Sequence, residues 1–364
     1  MTAADYETRR DALVDRIVDS YTAGSELFTI ELGRRLGLYR TLHKRGPLSP
    51  RGLAEAAGIA ERYAREWLEQ QAAAGFVDVD DEATDAAARQ YRLPDAHIPV
   101  LVHETDPSFT LGMPALFAGS VEPFAAVIAA FRSGAGVPYD RYGPHLRWGI
   151  AAMNRPGFEH DLAHWVAAVD GVAEWLAHGG TVLDAGCGEG WSTIALAKAF
   201  PAARVHGVDL DAASIETATA NAEAAGVGDR VRFTLANAAG GTPGGTPAGG
   251  YDFACVFEAL HDMGDPVAVL RGIRSTLSDA GVVLIGDEKV ADEFTAPADK
   301  LDRMQYAVSV LHCLPATMAE STAVANGTVL RAPTVRRWAA EAGFGSVEVL
   351  PIEHDFWRFY ALRP

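Results

Sequence analysis

The chain has 364 residues, a formal net charge of −17 and 49% hydrophobic side chains, with pI ≈ 5.0 and a mean hydropathy of +0.03. That length accommodates two domains with cores of their own, and the hydropathy is that of a globular chain. The acidic balance opposes nonspecific binding to nucleic acid or to an anionic membrane surface, so neither is expected as a partner.

The opening MTAADYETRRDALVDR is charged and carries no apolar run, so no signal peptide is expected. The longest apolar run, near 124–131, is too short to cross a bilayer. Cys187, Cys255 and Cys313 lie far apart without CxxC or Cys/His spacing. Neither a zinc site nor a disulfide framework follows from them, no metal is implied, and a reduced, cytoplasmic interior is expected.

Over 8–44, Leu13, Ile17, Tyr21, Leu27, Ile30, Leu36 and Leu38 recur at helical spacing, predicting one or two amphipathic helices before the Gly46-Pro47 break. LSPRGLAEAAGI predicts a short helix capped near Ser49, and 60–74 a second one. FVDV and RQYRL then predict two short strands around an acidic turn. Helix, turn, helix and β-wing is a winged-helix order. The second helix mixes Arg62 and Arg65 with Glu61, Glu66 and Glu69, and the wing carries Asp78, Asp80, Asp81, Glu82 and Asp85. Those acids would face phosphates badly, which favours a dimerisation or pocket-closing role over DNA binding.

Prolines 107, 114, 123, 138, 144 and 156 break residues 105–170 into short helices. There Asn154 and Arg155 could line a pocket, or only cap and solvate a helix. From Gly171 an α/β domain is predicted, with strands at 181–185, 204–209, 230–235, 251–257 and 281–286 separated by helices. Segments 346–350 and 356–362 would add an antiparallel pair, making seven strands. The Gly/Pro stretch 238–250 reads as a mobile loop without chemistry. The division is therefore 1–105, a helical connector 106–170 contributing to the acceptor pocket, and 171–364 with a helical insert at 291–331. Tyr306 and His312 in that insert are candidate pocket residues; ordinary packing explains them equally well. His354 reads as structural, and Trp357 and Phe359 as packing under the sheet.

The densest signal is TVLDAGCGEGWS, Thr181 to Ser192, followed by VHGVDLD. An apolar strand ends in Asp184; Gly186, Gly188 and Gly190 alternate behind it; a helix follows; a second strand ends in Asp209. This is a nucleoside pocket at the carboxyl edge of a parallel sheet. Glycine serves where the chain turns sharply and a ligand approaches the backbone. Asp209 can accept both ribose hydroxyl protons. The spacing departs from the dinucleotide G-x-G-x-x-G, and a carboxylate at Asp184 would repel a pyrophosphate. S-adenosylmethionine (SAM), a cation without phosphate, suits this loop, with Asp184 expected to meet its charge.

YAREWLEQQ, MNRPGF, LDAGCGEGWS, GVDLD, FEALHDM, GDEKV and LPIEHDFWRFY together resemble the class I SAM-dependent methyltransferases with an N-terminal winged-helix dimerisation domain, of the bacterial small-molecule O-methyltransferase type. The resemblance spans nearly the whole chain. It implies a Rossmann-like, seven-stranded α/β methyltransferase domain behind a mainly helical winged-helix domain. It also implies SAM as cofactor, S-adenosylhomocysteine as product, a small-molecule acceptor and a homodimer. His261-Asp262 stands where relatives carry a His-Asp pair whose histidine is the general base, a task that suits imidazole. An acid at the end of the fifth strand would orient it: Asp287 or Glu288, with Glu288 preferred. Relatives have a second acid before the last helix, where this chain has Ala332, Pro333 and Thr334. By the same resemblance Leu210 packs on adenine, and the backbone near Glu258 faces the methionine end. Asn237-Ala238 replaces a common Asp-Ala, its amide oxygen accepting the adenine amino proton. Three other readings remain: N- or C-methylation with His261 only positioning the acceptor, a SAM-responsive DNA-binding regulator, and an NAD-dependent oxidoreductase.

Overall fold

The computed structural model describes residues 2–82, 84–241, 245–247 and 250–364. Residues 242–244 and 248–249 of the Gly/Pro stretch therefore lie outside the described residues. Contacts divide the chain into two compact units, one ending at Ala118 and the other Gly119–Pro364.

In the first unit, the helix Ala3–Arg35 starts from a capping box in which Thr2 and Asp5 exchange side-chain and backbone hydrogen bonds. Leu13, Ile17 and Tyr21 lie on it as their spacing predicts, but they are 56%, 61% and 77% exposed. Gly37, at φ 66, turns the chain into the helix Leu38–Arg45. The helix Pro50–Ala57 is capped by Ser49, as expected, and Glu61–Ala73 follows. Strand β1 (Asp78–Val79) pairs antiparallel with β2 (Tyr91–Arg92). Leu38, Tyr39, Leu42, Leu53, Leu68 and Tyr91 form the buried centre. The arginines of the second helix and wing are matched by their own acids: Arg62 by Glu66, Arg65 and Arg89 by Glu69, and Arg92 by Asp78. That pairing leaves little of the positive stripe that phosphates need.

The second unit is built on a seven-stranded sheet of order β5-β4-β3-β6-β7-β9-β8. Its strands are β3 (Thr181–Ala185), β4 (Arg204–Asp209), β5 (Val231–Leu235), β6 (Tyr251–Phe257), β7 (Leu277–Glu288), β8 (Ser346–Val349) and β9 (Trp357–Arg363). Strands β3 to β7 pair in parallel; β9 runs antiparallel to both β7 and β8. Both faces are covered. On β6, Phe253, Cys255 and Phe257 pack with Trp165, Trp357 and Phe359, while Ala254 and Val256 pack with Trp338 and Tyr360. A period of two thus serves two cores. The order reverses between β3 and β6, opening a crevice at their carboxyl ends. The helix Gly143–His160 reaches that crevice, as does the helix Leu314–Glu320 of the insert; a π-helical turn at Ser309–Cys313 joins it to the helix Lys300–Val308, whose Gln305 meets Glu288 at the end of β7. No single described helix is long and apolar enough to cross a membrane.

Candidate active site

The loop after β3 depends on its glycines for two separate reasons. Gly186, Gly188 and Gly190 all have left-handed backbone, with φ of 79, 50 and 83. A Cβ on Gly186 would come within 2.6 Å of Ala259 Cβ, and one on Gly190 within 2.9 Å of Ala218 and Phe233. Gly188 is different: its Cβ position is open, and the residue lines the cavity. There the left-handed turn alone demands glycine, and the space beside it is left for a ligand. Asp184 corrects an expectation. It is 1% exposed, and its carboxylate accepts from Ser192 Oγ and Thr193 Oγ1, both at 2.6 Å, and from the Cys255 thiol at 3.5 Å. Burial raises its pKa despite these donors. Asp184 holds the start of the helix Trp191–Ala199 to the loop and is not among the residues lining the cavity.

The cavity, of about 590 Å³, opens along the carboxyl edge of the sheet. At one end Asp209 accepts the backbone N–H of Gly188 and of Asp211, each at 2.8 Å. These bonds lock its carboxylate at the mouth of the loop. Burial raises its pKa against the pull of both bonds. Leu210 offers a half-exposed apolar surface beside it. Asn237 and Ala238 also line this end; Asn237 Oδ1 already accepts Ala239 N–H at 2.9 Å and keeps a second lone pair. Ribose acceptor, apolar plate, amide and open glycine turn together fit SAM. No spacing signals Arg147, which forms a two-point pair with Asp211 (2.6 and 3.1 Å) and lies 5.7 Å from the Tyr139 ring centroid. Arg147, Ile150, Ala151, Asn154 and Phe158 recur at helical spacing on Gly143–His160 and form one wall.

At the other end, β6 runs into Glu258 and a short turn, Leu260–Asp262. His261 is 2% exposed. Its Nδ1 lies 2.8 Å from Asp287 Oδ1, its backbone N–H donates to Asp287 Oδ2 at 3.3 Å, and its Nε2 stands 3.3 Å from Asp262 Oδ1. Asp287, not Glu288, is therefore the acid that holds the histidine. Consecutive residues on a strand project to opposite faces, so the two could not share the task. Glu288 instead accepts from Gln305 of the insert, and burial with the neighbouring Glu258 pushes it well above the ordinary carboxylate range. Burial alone would lower the His261 pKa, but the two flanking carboxylates win and hold it well above its usual value. Asp262 lines the cavity; His261 lies behind it. Cys313 completes the cluster, its sulfur within 4.8 Å of the His261 and Asp262 ligand atoms, a donor set that no sequence spacing announced.

The expected acceptor residues separate. Asn154 lines the cavity and donates to Glu258. Arg155 does not line it; its guanidinium lies 3.7 Å from the Trp191 ring centroid and pairs with Glu159. Tyr306 accepts from Arg331 at 3.0 Å, outside the lining. His312 is buried edge-on against Tyr142, 4.6 Å between centroids, and burial lowers its pKa. Tyr306 and His312 thus stand in packing positions, and Arg155 stacks on Trp191, none of the three in the cavity lining.

Residues 176–335 match the family model of a methyltransferase domain, and residues 24–103 that of an Rv2258c-like winged HTH domain. The structure is similar to that of the mitomycin 7-O-methyltransferase MmcR, with a TM-score of 0.69 at 17% identity over 98% of this chain and 100% of that one. It is also similar to human N-acetylserotonin methyltransferase in complex with SAM, with a TM-score of 0.71 at 14% identity over 96% and 97% of the two chains. Among curated proteins, the release factor glutamine methyltransferase of Chlorobaculum tepidum is 37% identical over 84 residues, 23% of this chain and 29% of that protein. The chain spans less than a third of the length of such relatives. Glycine loop, strand order and both family models agree: the chain carries a methyltransferase domain with a Rossmann-like sheet, preceded by a winged HTH domain.

Proposed function

We propose that this enzyme moves the methyl group of SAM to an oxygen of a small hydroxyl or phenol compound. The observation that supports the reading best is a single cavity joining a nucleoside-binding edge to a wall made by Asp262, with His261 and Asp287 behind it. Bound SAM would supply a methyl activated by its sulfonium. Asp209 and Asn237 would hold the nucleoside, and Leu210 would lie against the adenine. Ile150, Phe158 and Phe257 give an apolar wall that limits water. Asp262 would fix the acceptor. Positioning of this kind supplies much of the rate of an in-line displacement. The two carboxylates raise the His261 pKa, and its ring lies behind the cavity wall, so its part is to orient Asp262 rather than to touch the acceptor. The fold shared with MmcR, whose name is that of an O-methyltransferase, supports the oxygen acceptor. The test is transfer of labelled methyl from SAM to a panel of phenols, hydroxy acids and amines. An O-methylated product is expected; label found only on nitrogen or carbon would sink the oxygen reading.

We also propose a homodimer through the first unit. Leu13, Val14, Ile17, Val18 and Tyr21 leave an apolar stripe uncovered on one long helix, more than a monomer usually exposes in one run. Sedimentation should give twice the chain mass; a monomer at micromolar concentration would refute the assignment.

A further inference from the structure

Among the described residues, Glu258 and Ala325 are the only non-glycines with left-handed backbone; Glu258 has φ 49. Such strain persists where the surroundings enforce it, and it concentrates at functional sites. Here the sheet enforces it: Glu258 N–H donates to Gly286 O at 2.8 Å. The residue lines the cavity between the glycine loop and Asp262. Asn154, on the facing helix, donates to Oε2, and no described protein donor occupies Oε1.

Resting on the oxygen-methylation reading, we propose that Glu258 is the catalytic base, the group that takes the acceptor's hydroxyl proton. As the acceptor oxygen bonds to the methyl carbon, the sulfur–carbon bond breaks with its electron pair left on sulfur, and the O–H proton passes to a Glu258 oxygen. His261 is not placed to do this, because it is held between Asp287 and Asp262 and lies behind the cavity wall, whereas Glu258 lines the cavity. Burial pushes Glu258 up to about 7, against the pull of the Asn154 hydrogen bond and of the His261 charge. Asp287 and Asp262 add to the rise, and the charge of Glu258 in turn raises the neighbouring Glu288. A base with that value is half ionised at neutral pH yet strong enough to accept a proton.

The experiment is Glu258→Gln with the acceptor found in the labelled-methyl panel. kcat should fall by about 10²-fold or more, while SAM affinity by calorimetry changes by no more than about threefold. In the native enzyme kcat/KM should rise with pH through about 7; the glutamine variant should lack that limb. Asn154→Ala, which removes the donor holding Glu258 down, should move the limb to higher pH. Retained kcat in Glu258→Gln overturns the proposal. So does a rate loss matched by an equal loss of SAM affinity, which would make Glu258 a cofactor contact. So does a pH limb that survives in Glu258→Gln and vanishes in His261→Ala. A native enzyme that labels nothing on oxygen overturns the reading beneath the proposal, and is told apart from these outcomes because the native protein itself fails.

Discussion

The two ends of the cavity are assembled in opposite ways. The nucleoside end comes largely from one strand–loop–strand stretch, 181–211, in which each residue's job follows from its place: Gly186 and Gly190 for close approach, Gly188 for the turn, Asp209 at the end of the next strand. The His261 end draws Asn154, Glu258 with Asp262, Asp287 and Gln305 from four separate parts of the chain. The first is written in local spacing and the second in tertiary packing. The first holds its charged group with backbone N–H donors, whereas the second sets ionisable groups against one another. Substitutions at the His261 end should therefore act on rate, and substitutions at the nucleoside end on affinity.

The largest effect expected from this contrast is at Asp287. Its carboxylate accepts His261 Nδ1–H, His261 N–H and Glu288 N–H at once. In Asp287→Asn one of the two oxygens becomes an NH2 group, so at least one donor faces another donor. One of the two charges that raise the His261 pKa also goes. kcat should fall on the order of 10²-fold, with SAM affinity by calorimetry nearly unchanged. An equal loss of SAM affinity would erase the distinction between the two ends.

Asp209→Ala is the reciprocal test. It removes the proposed ribose acceptor and strands the N–H groups of Gly188 and Asp211. SAM affinity should fall about tenfold or more, the scale of a lost charge-assisted hydrogen bond, while kcat at saturating SAM stays within a few-fold. Unchanged affinity in a calorimetric titration would remove Asp209 from the cofactor site.

The same contrast explains what could be read from the sequence. All seven sheet strands of the second unit, the Ser49 cap and the wing follow from period, glycine and proline, because local sterics set them. Asp184 departs from its expected place for a tertiary reason: Ser192 and Thr193, in the first turn of the helix after the loop, donate to its carboxylate and take the charge that the cofactor is expected to meet. The choice between Asp287 and Glu288 turned on which face of β7 meets the His261 turn, and a one-residue difference in strand register is invisible in composition. Arg147 met Asp211 without any spacing to announce it, since the helix that carries it belongs to a region broken by prolines. Leu13, Ile17 and Tyr21 stand at the spacing that predicts a buried helix face, yet they stay exposed in the folded chain, which spacing alone does not reveal.

Asn237 gives the smallest effect and the sharpest comparison with Asp209, because the two stand at the same end with different chemistry. Asn237 Oδ1 already takes Ala239 N–H at 2.9 Å. An adenine amino group would share that oxygen, and the bond would be neutral at both partners, worth about 1 kcal/mol net. Asn237→Ala should therefore weaken SAM binding only about threefold to tenfold, less than Asp209→Ala, and should leave the pH dependence of kcat untouched. Asn237→Asp restores the acceptor as a charge and should recover the affinity. If Asn237→Ala instead costs more than Asp209→Ala, the order of importance at this end is reversed and adenine, not ribose, dominates recognition.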